Sequence, residues 1–176
     1  SFDPNLEEKA ITTYFRQEFT LPSVPAGGQV TPISFSSDFN DAVVIHLNGK
    51  EILRDNLPDG PITKNTLAVK AVTPFTNTRR LEFFISADQL IFGENVWAIE
   101  VHQADATSDD LLFDFHYLIE VTDPNNQNTT SVGSNFGKTQ WSYLDGGVAP
   151  PPNWTALGFD DSPWKTGQAP LGYFDE

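Results

Sequence analysis

Residues 41–55 read DAVVIHLNGKEILRD, and this stretch decides the fold class. Apolar residues occupy every second position from Val43 to Leu47, which is the period of a strand with one buried face. Asn48-Gly49 follows, and these two residues tolerate the positive φ angles of a tight hairpin turn. The returning arm, residues 50–54, is again rich in apolar side chains. The sequence therefore predicts two antiparallel strands joined by a short turn.

Short runs of the same kind recur along the chain, at residues 12–19, 30–35, 67–72, 81–85, 96–101 and 111–121. In the longest, Leu111–Val121, every second residue is large and apolar or aromatic, which predicts a core strand. Residues 86–90 predict only a short helical turn, with Ser86 as its expected N-cap, and no sustained helical period is present. The pattern predicts an all-β fold, an antiparallel sandwich or jelly roll.

The last third of the chain has a different composition. Residues 122–135 are polar, small and turn-rich, which predicts a flexible linker. Residues 136–176 are crowded with aromatic side chains but form too short a segment to bury them alone. We therefore expect one domain, in which residues 1–121 form the main part of the module. Residues 136–176 are expected to complete the same module or that of a neighbouring copy.

The net charge limits the classes of partner. Ten Lys and Arg stand against 24 Asp and Glu, a formal charge of −14. Such a field repels phosphate backbones and anionic lipid surfaces, so neither nucleic acid nor a membrane is an expected partner. The acidity fits carboxylates reserved for calcium or a secreted protein of a saline setting, and solvated surface charge is the simplest explanation. The sequence has no Cys, which excludes disulfides and thiolate metal sites.

Four segments together resemble a known fold family: residues 159–164 (FDDSPW), 13–19 (TYFRQEF), 42–49 (AVVIHLNG) and 93–101 (GENVWAIEV). They resemble motifs of the galactose-binding-like jelly roll. This fold includes the sugar-binding N-terminal domains of β-galactosidase-type glycoside hydrolases and many carbohydrate-binding modules. In that family the Asp-Asp-Ser-x-Trp segment comes first, whereas here it comes last. The chain therefore looks like a circular permutation of one module, or one period cut from a tandem array.

The resemblance has consequences for assembly and ligands. In related modules sugar is bound by loops at one end or by a concave sheet face, and a structural calcium is common. The C-terminal segment is expected either to close its own sandwich, which we favour, or to join a neighbour as a tail-swapped homo-oligomer. The start of the chain lacks signal-peptide features, and we expect the sequence to be a segment of a larger protein.

The loop from His102 to Asp110 is the predicted ligand-binding region. His102, Gln103, Asp109 and Asp110 combine an imidazole, an amide and carboxylates where a core strand ends, and such groups bind sugar hydroxyls. The alternative, which we favour, is that His102 and Gln103 anchor the loop and the two carboxylates are solvated. His46 projects from the hairpin and is expected either to join that site or to cover the outer sheet.

Four carboxylates are candidate calcium ligands, Asp38, Asp41, Asp55 and Asp59, although no EF-hand loop is present. Asp160-Asp161 is predicted to form a turn and cap instead. Exposed Trp141, Tyr143 or Trp154 would suit stacking on sugars, but these rings are expected mainly to fill the core or clamp the edge of the sheet.

No catalytic motif is apparent, so an enzyme is not expected. The leading hypothesis is a non-catalytic, carbohydrate-binding module of a secreted, multimodular bacterial protein. Its partner would be an extracellular polysaccharide or oligosaccharide. The rival hypothesis is a structural or adhesin repeat that self-associates through its tail.

Overall fold

The computed structural model describes residues 9–23, 28–30, 33–72, 79–108, 110–123, 125, 128–134 and 138–174. These residues form twelve strands and one short 3₁₀ turn at Ala87–Gln89. The strands are β1 Thr12–Leu21, β2 Gln29–Val30, β3 Ile33–Asn40, β4 Ala42–Leu47, β5 Lys50–Asp55, β6 Arg79–Ile85, β7 Gly93–His102, β8 Asp110–Asp123, β9 Asn128–Gly133, β10 Gln140–Leu144, β11 Lys165–Gln168 and β12 Leu171–Phe174.

The strands form two antiparallel sheets. The first sheet has the order β11-β10-β1-β7-β4-β5, and the second has the order β12-β8-β3-β6, with β2 and β9 also paired to β8. The predicted hairpin is β4 and β5, and both Asn48 and Gly49 have positive φ angles, 52° and 84°. The predicted all-β antiparallel sandwich is confirmed.

The core lies between the two sheets, where the apolar residues of β1, β4, β7, β8 and β10 meet. The ring of Phe15 on β1 stacks on that of Phe113 on β8, with centroids 4.0 Å apart. Trp97 and Trp141 are fully buried in the same cluster. The alternating residues of β8 that predicted a core strand are all buried, because their shared face packs on the first sheet.

The C-terminal segment contributes strands to both sheets of its own chain. β10 pairs with β1 through Arg16 and Ser142, among other residues, and β12 pairs with β8 through Leu171 and Phe113. The segment thus closes the sandwich within one chain. This closure places residues at opposite ends of the sequence side by side.

Three expected elements differ from the structure. Residues 67–72 form no strand, because their backbone hydrogen bonds run to a neighbouring loop and strand end: Ala68 N–H donates to Gln103 O, and Val69 N–H to Asn56 O. The expected linker contains β9, which pairs with the end of β8 as a hairpin. Ser86 precedes the 3₁₀ turn but makes no side-chain cap.

A second, smaller apolar cluster covers the outer face of the first sheet. Tyr14, Ala98 and Trp154 form its buried part, and Leu144, Phe159 and Trp164 pack against them. From Thr12 to Arg16, both faces of β1 are therefore buried, the inner face by the second sheet and the outer face by residues 154–164. Among the described residues, we find no helix with the length and apolar character needed to span a bilayer.

Candidate functional site

His102 and Gln103, predicted as ligand-binding residues, are fully buried at one end of the sandwich. The Nδ1 atom of His102 lies 2.8 Å from Thr66 O and 2.9 Å from Thr12 Oγ1. The Gln103 amide nitrogen donates to Asp110 O at 2.7 Å. Neither side chain reaches solvent, so these two residues expose no surface to a ligand in this structure. Both side chains instead anchor the loops, as the alternative interpretation predicted.

Asp41 belongs to the same buried polar group. Its two carboxylate oxygens accept the backbone N–H groups of Val72, at 2.5 Å, and Ala104, at 2.7 Å. Burial raises the pKa of this carboxyl, and the two backbone hydrogen bonds oppose that shift. We call Asp41, His102 and Gln103 with these partners the end cluster. His102 Nε2 and Gln103 Oε1 accept or donate no hydrogen bond among the described residues. All three side chains are enclosed by the surrounding loops, so the cluster exposes little surface to a ligand.

The other predicted ligand-binding residues do not gather into one site. His46 pairs with Ala98, whereas His102 pairs with Ala42, so the two histidines stand four residues apart along the ladder, roughly 13 Å. The His46 ring packs edge-on against Trp154, with centroids 5.9 Å apart, and so helps cover the outer face. The half-buried Asp110 accepts a hydrogen bond from Ser108. Asp109 lies outside the described residues.

The four candidate calcium ligands also lie in separate surroundings. Asp41 is committed to the end cluster, Asp38 and Asp55 lie in strands of different sheets, and Asp59 is in an exposed loop. No three acidic or histidine side chains among the described residues come together as a metal-binding group. The structure therefore does not bring these four carboxylates together in one site.

The candidate stacking platforms are buried as well. Trp141 and Tyr143 lie in the core, and Trp154 is covered on the outer face, so none offers an exposed ring for a sugar. This agrees with the expectation that they fill the core or clamp the sheet.

Arg16 anchors the C-terminal segment to the outer face of β1. Its side chain is fully buried, and its Nε donates to the Asp161 carboxylate at 3.1 Å. Its Nη1 donates to the carbonyl oxygens of Trp154 and Ala156. The guanidinium also lies 5.1 Å from the ring centroid of Phe159. Asp161, the second Asp of the Asp-Asp-Ser-x-Trp motif, therefore holds the tail in place, while Asp160 accepts the N–H of Ser162 in a turn.

Next to this anchor the first sheet divides. β1 and β10 are paired only from Tyr14 opposite Leu144 to Arg16 opposite Ser142. Beyond that point β1 remains paired with β7 as far as Leu21, and β10 remains paired with β11 as far as Gln140. The two strands separate because each follows its other neighbour, which opens a gap between their facing edges.

A cleft with a cavity volume of about 490 Å³ occupies this gap. Its lining residues are Arg16, Gln17, Glu18, Gly133, Lys138, Thr139, Gln140, Trp141, Ser142, Asp161 and Thr166. Most of these residues carry amide, carboxylate, ammonium or hydroxyl groups, which donate and accept hydrogen bonds in several directions. We call this feature the sheet-split cleft, and it is the candidate functional site.

Charges in the cleft wall balance. Arg16 and Lys138 stand against Glu18 and Asp161. Arg16 is also paired with both carboxylates, at 3.1 Å to Asp161 and 3.4 Å to Glu18. The cleft is therefore polar but close to neutral, within a chain whose net charge is −14.

Sequence reasoning did not identify this cleft. One signal was available: Arg16, Gln17 and Glu18 interrupt a strand that is otherwise rich in aromatic and β-branched residues. The cleft itself depends on where two strands, distant in sequence, stop pairing, and no local pattern records that point.

The fold is similar to domains of several solved proteins. The chain superposes on α-L-rhamnosidase from Streptomyces avermitilis, in a structure with L-rhamnose, with a TM-score of 0.55 and 16% identity, covering 90% of this chain and 13% of that chain. It superposes on a lectin from Pleurotus ostreatus in complex with GalNAc with a TM-score of 0.52 and 20% identity, covering 94% of this chain and 40% of that one. For α-L-rhamnosidase from Dictyoglumus thermophilum the values are 0.55 and 14%, with 96% and 18% covered.

These similarities concern the fold, since the identities are low. The chain spans 13% to 40% of the length of these proteins, so it corresponds to one part of each of them. Comparison of the sequence with protein-family models found no match, and comparison with curated proteins found none either.

Proposed function

We propose that this chain is a non-catalytic carbohydrate-binding module and that saccharide binds in the sheet-split cleft. The observation that carries the proposal is the cleft itself: a polar, nearly neutral gap of about 490 Å³ between two strands of the first sheet. Its volume lies within the range of roughly 300–1,000 Å³ that is usual for small-molecule sites.

The side chains of the cleft suit a saccharide. Sugar hydroxyls donate and accept at once, so they are bound well by groups that offer both functions side by side. Gln140 offers an amide, Glu18 and Asp161 offer carboxylate oxygens, and Thr166 offers a hydroxyl. Binding through such solvated groups gives modest affinity, because each hydrogen bond replaces one made to water. The proposed role is retention of a saccharide without chemical change.

The fold supports this proposal by analogy. Two of the similar proteins are described in complex with a sugar, one with GalNAc and one with L-rhamnose. A shared fold does not transfer a function, which is why the proposal rests on the cleft and not on the similarity. We further propose that the module belongs to a secreted, multimodular protein and holds it near polysaccharide.

A glycan array followed by isothermal titration calorimetry tests the proposal. We expect at least one saccharide to bind the wild-type chain, and Gln140→Ala to weaken its binding several-fold. Gln29→Ala, which removes a matched exposed amide on β2, should leave binding unchanged. The absence of binding across plant, algal and microbial glycans would reject the proposal.

Light scattering on the same sample tests the structural alternative. A carbohydrate-binding module that closes its own sandwich should be monomeric. A stable oligomer without saccharide affinity would favour the self-associating repeat.

A further inference from the structure

We propose that the sheet-split cleft binds an uncharged saccharide, one hydroxyl of which is held between the side-chain oxygen of Gln17 and the indole N–H of Trp141. This inference rests on the proposed function and specifies its ligand class and its deepest contact.

Gln17 and Trp141 stand at the point where β1 and β10 separate. The ladder between the strands ends at Arg16 opposite Ser142, so Gln17 and Trp141 occupy the next positions on the two facing edges. Both residues line the cleft. Both residues lie on the core-facing side of their strands, because residues two apart in a strand share a face. Phe15 and Tyr143, two residues away on the same strands, are core residues. The two side chains therefore belong to the inner end of the gap.

Each of these side chains has a buried polar atom without a hydrogen-bond partner among the described residues. These atoms are Oε1 of Gln17 and Nε1 of Trp141. Unpartnered buried polar atoms are uncommon in folded proteins, and two of them beside one cavity call for a functional explanation. One is an acceptor and the other is a donor. A hydroxyl group satisfies both, because it donates its proton to the amide oxygen and accepts the indole proton.

The charges around the cleft favour a neutral ligand. The Arg16 guanidinium is occupied by Asp161, Glu18 and two backbone carbonyls, so it has little capacity left for an anionic group. Lys138 is the other cationic residue of the cleft wall, against two carboxylates. The net charge of −14 also repels anions at longer range. Uronic acids and sulfated sugars are therefore disfavoured relative to neutral saccharides.

Gln17→Met tests the hydroxyl contact. This change keeps a long, unbranched side chain and removes the amide oxygen. We expect the melting temperature to stay the same or rise, because an unpartnered buried acceptor is lost. Affinity for the best neutral saccharide, measured by calorimetry, should fall about 5–10-fold, which is the usual effect of one hydrogen bond. Trp141→Phe, which removes the N–H, should weaken binding to a similar extent in protein that circular dichroism shows to be folded.

A panel of neutral, uronic-acid, sulfated and amino-sugar oligosaccharides of matched length tests the ligand class at one fixed ionic strength. Neutral members should bind most tightly. Equal or tighter binding of uronic-acid, sulfated or amino-sugar members would overturn the inference on ligand class. Unchanged affinity of Gln17→Met would overturn the hydroxyl contact. Either result leaves the proposed function standing, whereas binding of no member at all removes both.

Discussion

The end cluster and the sheet-split cleft contain the same kinds of side chain but serve different purposes. In the end cluster, Asp41, His102 and Gln103 are buried and hydrogen-bonded to neighbouring backbone. In the cleft, Gln140 and Thr166 are exposed beside a cavity. The difference shows that amides and carboxylates at the end of a strand do not mark a ligand site by themselves. What matters is whether the surrounding loops enclose these side chains or leave them beside an open cavity.

Arg16→Ala should have the largest effect, because Arg16 belongs to the cleft wall yet is as buried as any residue of the end cluster. We expect the free energy of unfolding to fall by roughly 3 kcal/mol, since Asp161 and two carbonyl oxygens lose their donor. Chemical denaturation measures this loss. Arg54→Ala removes an arginine that is paired with Glu51 at the surface, and it should cost about 0.5 kcal/mol or less. Equal losses in the two variants would contradict the assignment of Arg16 as an anchor.

Asp41→Ala should separate stability from binding. The N–H groups of Val72 and Ala104 would lose their acceptor, and we expect a loss of about 2 kcal/mol in unfolding free energy. Saccharide affinity of the folded variant should equal that of the wild type. Asp59→Ala, in an exposed loop, serves as the control with little change in stability. A selective loss of saccharide binding in Asp41→Ala would mean that the end cluster takes part in recognition.

His46 gives a pH-dependent test of the cover over the outer face. Burial lowers the pKa of His46 below its ordinary value of 6.5, against smaller opposing effects of Glu100 and Glu51. The unfolded chain therefore binds this proton more readily than the folded chain. The stability contributed by neutral His46 is complete above about pH 6.5 and is lost as the pH falls through the lower folded pKa.

The measurement compares wild type with His46→Gln by denaturation between pH 8 and pH 5. The unfolding free energy of the wild type should fall relative to that of His46→Gln as the pH falls. A difference that stays constant would show that the imidazole is solvated and that Trp154 does not cover it.

Thr166→Val should have the smallest effect on stability and therefore gives the sharpest contrast with the end cluster. It replaces an exposed hydroxyl on β11 with a methyl group of similar size, so the unfolding free energy should change by about 0.5 kcal/mol or less. Saccharide affinity should fall roughly 2–5-fold through loss of one hydrogen bond. Thr130→Val on β9, away from the cleft, should change neither property.

Most of the sandwich was predictable because its signals are local. The β4–β5 hairpin is specified by Asn48-Gly49, and the core face of β8 by its alternation of apolar residues. The same period failed at residues 67–72, where the alternation is present but the backbone pairs with loop groups. The spacing of apolar residues shows which side chains can share a buried face. It does not show which groups form hydrogen bonds with the backbone.

The sequence by itself determined the fold class, the main core residues and the dependence of the chain on its aromatic tail. Only the tertiary structure decided that His102 and Gln103 are enclosed, that Arg16 meets Asp161, and that a cleft opens beside them. The physical reason is distance along the chain. Burial of the end cluster and separation of β1 from β10 both depend on contacts between segments that are far apart in sequence, and neither segment alone shows which partner it meets.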